Sequence, residues 1–266
     1  MLKVLKTDLY RCFCNLFFPL SVLGVTFVCL LSECYVDETE KSYTVLSVIL
    51  ARQQMAAVIK QLNYFEVWEA GIGQWAHIIL PFLLTASYLS YFSEERSSGV
   101  ILFYQIRSSK WTYCIAKTLC SMLLGGVVLI AGYLLYGCIV VWNFGGSGLL
   151  WQDVRQILSR TAFVFIYGML FSIYGYAVSV FFRDKNILMT FPMMLSYLYS
   201  SVLTKIQIGL INHEKWDAFR RFQMISMENI IGYQSIRSKL FTVSIFTGVY
   251  ILCLLFFVKR TGKHVM

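Results

Sequence analysis

Few residues in this chain could do chemistry, and their spacing limits what that chemistry could be. The three histidines, His77, His213 and His264, lie far apart, so no metal-ligand spacing exists. No G-x-x-x-x-G-K-[ST] phosphate loop occurs; the Gly262-Lys263 pair is followed by His264. Neither a G-x-S-x-G elbow nor an H-E-x-x-H pair is present, so the sequence supports neither a serine hydrolase nor a zinc protease. Of the eight cysteines, Cys12, Cys14, Cys29, Cys120, Cys138 and Cys253 fall in apolar stretches, Cys114 in a polar connection, and Cys34 outside both. Cysteine placed this way serves as a small hydrophobe rather than as half of a disulfide. What remains is a polar knot, SEERSSG, in which Glu94, Glu95, Arg96 and Gly99 end an aromatic-rich apolar run.

The elements that must position this knot follow from composition. Apolar residues make up 58% of the chain and charged residues only 14%, against about 25% in soluble domains. The charges leave six long uncharged intervals, 12–32, 70–93, 118–152, 161–182, 186–204 and 240–258. Roughly 20 apolar residues in a helix cross about 30 Å of hydrocarbon, so each interval can hold one membrane span. The expected class is therefore an all-α membrane protein with a single transmembrane domain over 1–266. Its six spans lie near 12–32, 73–93, 118–142, 161–182, 186–204 and 240–258.

The third interval could also hold a helix with a loop or two re-entrant pieces. Asn143, Gly145, Gly146, Ser147 and Gly148 break it and favour a single span. Pro19, Pro81 and Pro192 all fall inside spans and predict kinks, which membrane helices tolerate.

The six spans carry no lysine, arginine or carboxylate, so the usual mark of ion-coupled transport is missing; His77 reads as an interfacial residue rather than a proton relay. Orientation is less sharply written, because lysine and arginine divide almost equally between the two sides. The first span favours an inner N-terminus, with Lys3, Lys6 and Arg11 before it and Glu33, Asp37, Glu38 and Glu40 after it. Both termini then face the cytoplasm. The net charge of +9 is spread over helix ends without a basic run, which points to topology and lipid, not nucleic acid.

The first apolar run is too long for a signal-peptide core. The segment LLSEC is similar to a lipoprotein cleavage site, but Glu33 stands where a small residue is needed. Residues 1–11 put Leu2, Leu5 and Leu9 on one helical face and suit an interfacial helix. The outer connection 33–69 contains the helical-looking VLSVILARQQMAAVIKQL, and the last one, 205–239, contains WDAFRRFQMI.

The connection between spans two and three, 93–117, reads SEERSSGVILFYQIRSSKWTYCIAK. Its apolar piece, GVILFYQI, is too short to span and suits either an interfacial anchor or insertion into a groove of another protein. The E-x-x-x-G formed by Glu95 and Gly99 after span two, the short apolar segment and the basic-aromatic entry to span three resemble the permeases of ABC-2 type exporters. That resemblance implies a short cytoplasmic coupling helix between spans two and three, docked on a separate ABC ATP-binding subunit. Glu95 would be its polar contact and Gly99 its turn, with Val100, Ile101, Leu102, Phe103, Tyr104, Gln105 and Ile106 as the docking surface. Lys110 and Lys117 read as lipid-phosphate ligands rather than partner contacts.

The same resemblance implies a multi-pass protein of a bacterial cell membrane, paired with a second permease chain, identical or homologous. ATP and Mg would bind only the partner subunit, and this chain would hold no cofactor and be no enzyme. The expected function is export of an amphipathic cargo such as a peptide, driven by the partner's ATP hydrolysis. A non-transporting membrane scaffold that recruits a soluble partner through the same loop is the alternative.

Overall fold

The computed structural model describes residues 2–36, 41–55, 59, 62–73, 76–99, 109–144, 151–178, 182, 184–212, 216, 230 and 236–263. In chain order its elements are α1 (Leu2–Phe13), α2 (Phe17–Leu30), β1 (Glu33–Val36), β2 (Ser42–Thr44), α3 (Val45–Leu50), α4 (Tyr64–Ala70), α5 (Ala76–Ser97), α6 (Lys110–Phe144), α7 (Trp151–Val178), α8 (Lys185–Asn212) and α9 (Ile236–Lys263). Among the described residues, four helices, α5 to α8, are long and apolar enough to cross a membrane. The bent pair α1–α2 makes a fifth if it counts as one span. Helix α9 covers the sixth expected interval.

The expected division between a helix over 1–11 and a first span over 12–32 is present as the division between α1 and α2, with its boundary a few residues later. The α1 and α2 axes differ by 64° across the break at residues 14–16. Asn15 fixes that break: its Oδ1 accepts from the Phe17 backbone N–H at 3.3 Å, and its Nδ2 donates to Ser90 of α5 at 3.4 Å. Pro19 therefore makes no kink of its own. It stands in the first turn of α2, where its missing N–H would have had no helical partner. Pro81 and Pro192 do lie inside helices, in α5 and α8.

The expected all-α character is broken in one place. Between α2 and α3, β1 and β2 pair antiparallel, Tyr35 opposite Tyr43, with their rings 6.2 Å apart. Aromatic and β-branched residues in ECYV and SYT favour such a hairpin. Of the long helical-looking stretch that follows, the described helix is the short α3, N-capped by the Thr44 hydroxyl, which accepts from Ser47 N–H at 3.2 Å.

Helix α6 is the spine. At 1.5 Å per residue its 35 residues run about 52 Å, well beyond the hydrocarbon thickness. It packs against α1, α2, α5 and α7. Where it crosses α7, Ser172 Oγ donates to the Ser121 carbonyl at 2.6 Å and Ser121 Oγ donates to the Ser172 carbonyl at 3.1 Å. Tyr88, Tyr133, Tyr136 and Tyr167 are the largest aromatic side chains fully buried in the core. Leucines 20 and 23 of α2, Tyr197 and Leu198 of α8, and Phe241 and Leu252 of α9 are exposed. Such apolar faces suit helices surrounded by hydrocarbon.

Candidate functional site

The polar knot lies in a helix, not in a loop. Helix α5 continues to Ser97, so Glu94, Glu95 and Arg96 occupy its last turn. Three consecutive residues on a helix point in three directions, about 100° apart, and here each meets a different element. Glu95 turns inward to Lys117 of α6, Oε2 to Nζ 2.6 Å. Glu94 pairs with Lys185 at the start of α8, at 3.4 Å and well exposed. Arg96 Nη1 donates to the Phe182 carbonyl at 2.8 Å, which ties the turn to the connection between α7 and α8.

Lys117 also holds Asp8 of α1, Nζ to Oδ2 2.8 Å. Asp8 and Lys117 are 0% exposed and Glu95 4%, so the three charges sit out of solvent. Tyr91, one turn before Glu95, donates its hydroxyl proton to Glu95 Oε1 at 2.5 Å, lies 3.3 Å from Asp8 Oδ1, and accepts from Arg11 Nη1 at 2.9 Å. The ammonium of Lys117 stands 5.0 Å from the Tyr91 ring centroid and 5.6 Å from that of Tyr113. Lys117 sits between the two acids, and Arg11, exposed at the rim, reaches the cluster through the Tyr91 hydroxyl. Charges buried this deeply persist only when paired and hydrogen-bonded.

The knot ends in a defined stop. The Ser98 backbone N–H donates to the Glu94 carbonyl at 3.0 Å, and the Ser97 and Ser98 hydroxyls donate to the same carbonyl at 3.0 and 2.8 Å. Gly99 follows at φ +72°, the left-handed conformation that glycine adopts freely. Nothing lies within 4 Å of where a Cβ would stand, so backbone conformation and not space calls for glycine here. Residues 100–106, the expected docking surface, lie outside the described residues, as does the Lys110 side chain.

The expectation for Lys117 changes. Lys117 cannot serve as a lipid-phosphate ligand, because its ammonium is enclosed by Asp8, Glu95 and two tyrosine rings. The sequence did offer a signal for Asp8: Leu5, Asp8, Leu9 and Cys12 repeat at helical spacing, and all four are buried or half-buried, so the acid belongs to the apolar stripe.

At the far end of the bundle a second ion pair pins α4. Arg160 of α7 reaches Glu69 through Nη1 to Oε1 at 2.8 Å and Nη2 to the Glu69 carbonyl at 3.1 Å, both side chains mostly buried. Trp68 stacks on Tyr133 at 4.9 Å, the Tyr133 hydroxyl donates to the Trp68 carbonyl at 3.1 Å, and the Tyr136 hydroxyl donates to the Val67 carbonyl at 2.6 Å. Replacing Arg160 by methionine should lower stability by about 2 kcal/mol in an SDS-titration unfolding experiment, since the Glu69 carboxylate loses its charged partner. Glu69→Gln, which keeps a neutral acceptor, should cost less. Equal, negligible losses would show that α4 is held by its aromatic contacts alone.

His77 of α5 bonds to the Tyr167 hydroxyl of α7 and so joins the two helices. Cys34 lies in β1 with its thiol 3.6 Å from the Tyr43 carbonyl, and burial pushes that thiol up to about 11. It stays protonated and a poor nucleophile. Cysteines 12, 14, 29, 34, 114, 120 and 138 are free of disulfides. Among the described residues no group of three or more His, Cys, Asp or Glu could hold a metal ion.

The buried cluster of Asp8, Glu95 and Lys117 can fasten α1, α5 and α6 together directly before the connection that starts at Gly99. Compared with known proteins, the chain matches no family model and no curated protein.

Proposed function

We propose that the chain is the membrane subunit of an ATP-driven ABC exporter, with six spans and both termini in the cytoplasm of a bacterial cell. Its 100–106 segment docks on a separate ATP-binding subunit, and a second permease chain completes the pathway. The cargo is amphipathic, such as a peptide, in keeping with spans rich in aromatic residues and poor in charge. ATP and Mg belong to the partner.

The observation that favours this reading is the foot of α5. Glu94, Glu95 and Arg96 bind it to α8, to α6 and through Lys117 to α1, and to the connection before α8, one turn ahead of Gly99. A push on the segment after Gly99 would therefore move several helices as one block, which a coupling element requires. A scaffold that merely recruits a partner needs no such bracing.

The test is pull-down of the tagged full chain from its native membrane, followed by ATPase measurement in vesicles. Recovery of a subunit carrying a G-x-x-x-x-G-K-[ST] loop, with ATP hydrolysis stimulated by the chain, is the expected result. Gly99→Pro should abolish the stimulation while the complex still assembles. Recovery of no such subunit, or unchanged hydrolysis in Gly99→Pro, overturns the reading; assembly without any stimulation by the unmodified chain favours the scaffold. External accessibility of cysteines placed in 100–108 would also overturn it.

A further inference from the structure

The pairing of Asp8 with Lys117 has an effect on the opposite side of α1. Asp8 is the sole acidic residue of that helix, and it is turned fully inward. With Leu5, Leu9 and Cys12 it forms the face packed on the bundle. The face left outside carries Lys6, Tyr10, Arg11 and Phe13, with Tyr10 70% exposed. With the exposed Thr7 it forms a face that carries basic, aromatic and hydroxyl side chains and no acid. Lys6 forms no ion pair among the described residues, and Arg11 reaches Tyr91 with its guanidinium while its side chain remains exposed.

The character of the exposed surface changes at the 64° bend. Before it stand lysine, arginine and tyrosine; after it Leu16, Phe17 and Leu20 are exposed without any charge until Glu33. Lysine and arginine with tyrosine belong at headgroup level, where cationic heads reach phosphate and ring edges stay wet, whereas bare leucine and phenylalanine belong in hydrocarbon. The bend thus marks the boundary between the two layers.

We infer that the outward face of α1 is a docking surface for anionic phospholipid headgroups, and that Asp8 is buried on Lys117 so that no negative charge opposes them. The binding is electrostatic and short-ranged, as expected for a few basic residues at a charged membrane surface. It does not depend on the ATP-binding partner, so its test is separate from that of the exporter reading.

The experiment uses the full chain with Tyr10→Trp in vesicles mixing phosphatidylglycerol and phosphatidylcholine, the parent chain with its six tryptophans serving as the blank. Bromine is placed near the headgroup end of the acyl chains of one lipid at a time, at equal total bromine. Quenching of the added tryptophan should be about twofold stronger when phosphatidylglycerol carries the bromine. That preference should vanish in Lys6→Gln and at high salt. Equal quenching by both lipids at low salt would overturn headgroup selectivity. Quenching by neither would overturn the lipid contact itself and show that protein covers this face.

Discussion

Replacing Lys117 by methionine lowers the stability of the chain by about 3–5 kcal/mol, the range seen when one partner of a buried ion pair is removed. The loss exceeds what the two ion-pair contacts contribute in the intact cluster, because the substitution leaves the Asp8 and Glu95 carboxylates facing each other without a counter-charge inside the bundle. Tyr91 can shield one of them, since its single proton already goes to Glu95. The decisive comparison is the triple variant Asp8→Asn, Glu95→Gln, Lys117→Met. Removing all three charges also removes the desolvation cost, so it should recover most of the loss. Asp8→Asn alone should be milder, because Lys117 keeps Glu95. SDS-titration unfolding in mixed micelles measures all four chains. A loss below about 1 kcal/mol for Lys117→Met would mean that water reaches the cluster and screens it.

The same cluster shows what sequence could reveal. Helix positions were legible because hydrocarbon imposes a local requirement, a long stretch without charge, that can be read residue by residue. Helix ends were not. Glu94 to Ser97 and Lys110 to Lys117 look like water-exposed connections, yet they are helical, and Glu94, Glu95, Arg96 and Lys117 find partners far along the chain. Asp8, Glu95 and Lys117 come from three different helices, and no local pattern encodes that meeting. Gly99 was legible for the opposite reason, since a left-handed stop after a helix is a local event. The division between α1 and α2 was legible in the interfacial pattern of residues 1–11, but its place and its bend were not, because Asn15 sets them through Ser90, a partner on α5. The pinning of α4 by Arg160 is hidden in the same way.

Gly125→Ala should produce the second large loss, about 2–3 kcal/mol, for a change of one methyl group. A Cβ at 125 would collide with Ser172 Cβ and stand 2.9 Å from the Gly168 carbonyl oxygen. Neither is the far end of a flexible side chain, so α6 and α7 would have to separate. Separation would also stretch the reciprocal bonds between Ser121 and Ser172, one turn away, and leave buried hydroxyls and carbonyls short of partners. Gly209 of α8 and Gly248 of α9 supply the control: both are helical, with nothing within 4 Å of an added Cβ. There alanine should raise stability by up to about 1 kcal/mol through helix propensity alone. Opposite signs for the same substitution, read in one SDS-titration series, would identify the α6–α7 crossing as a contact that only glycine allows. A gain at Gly125 would mean that the two helices stand farther apart than Ser121 and Ser172 require.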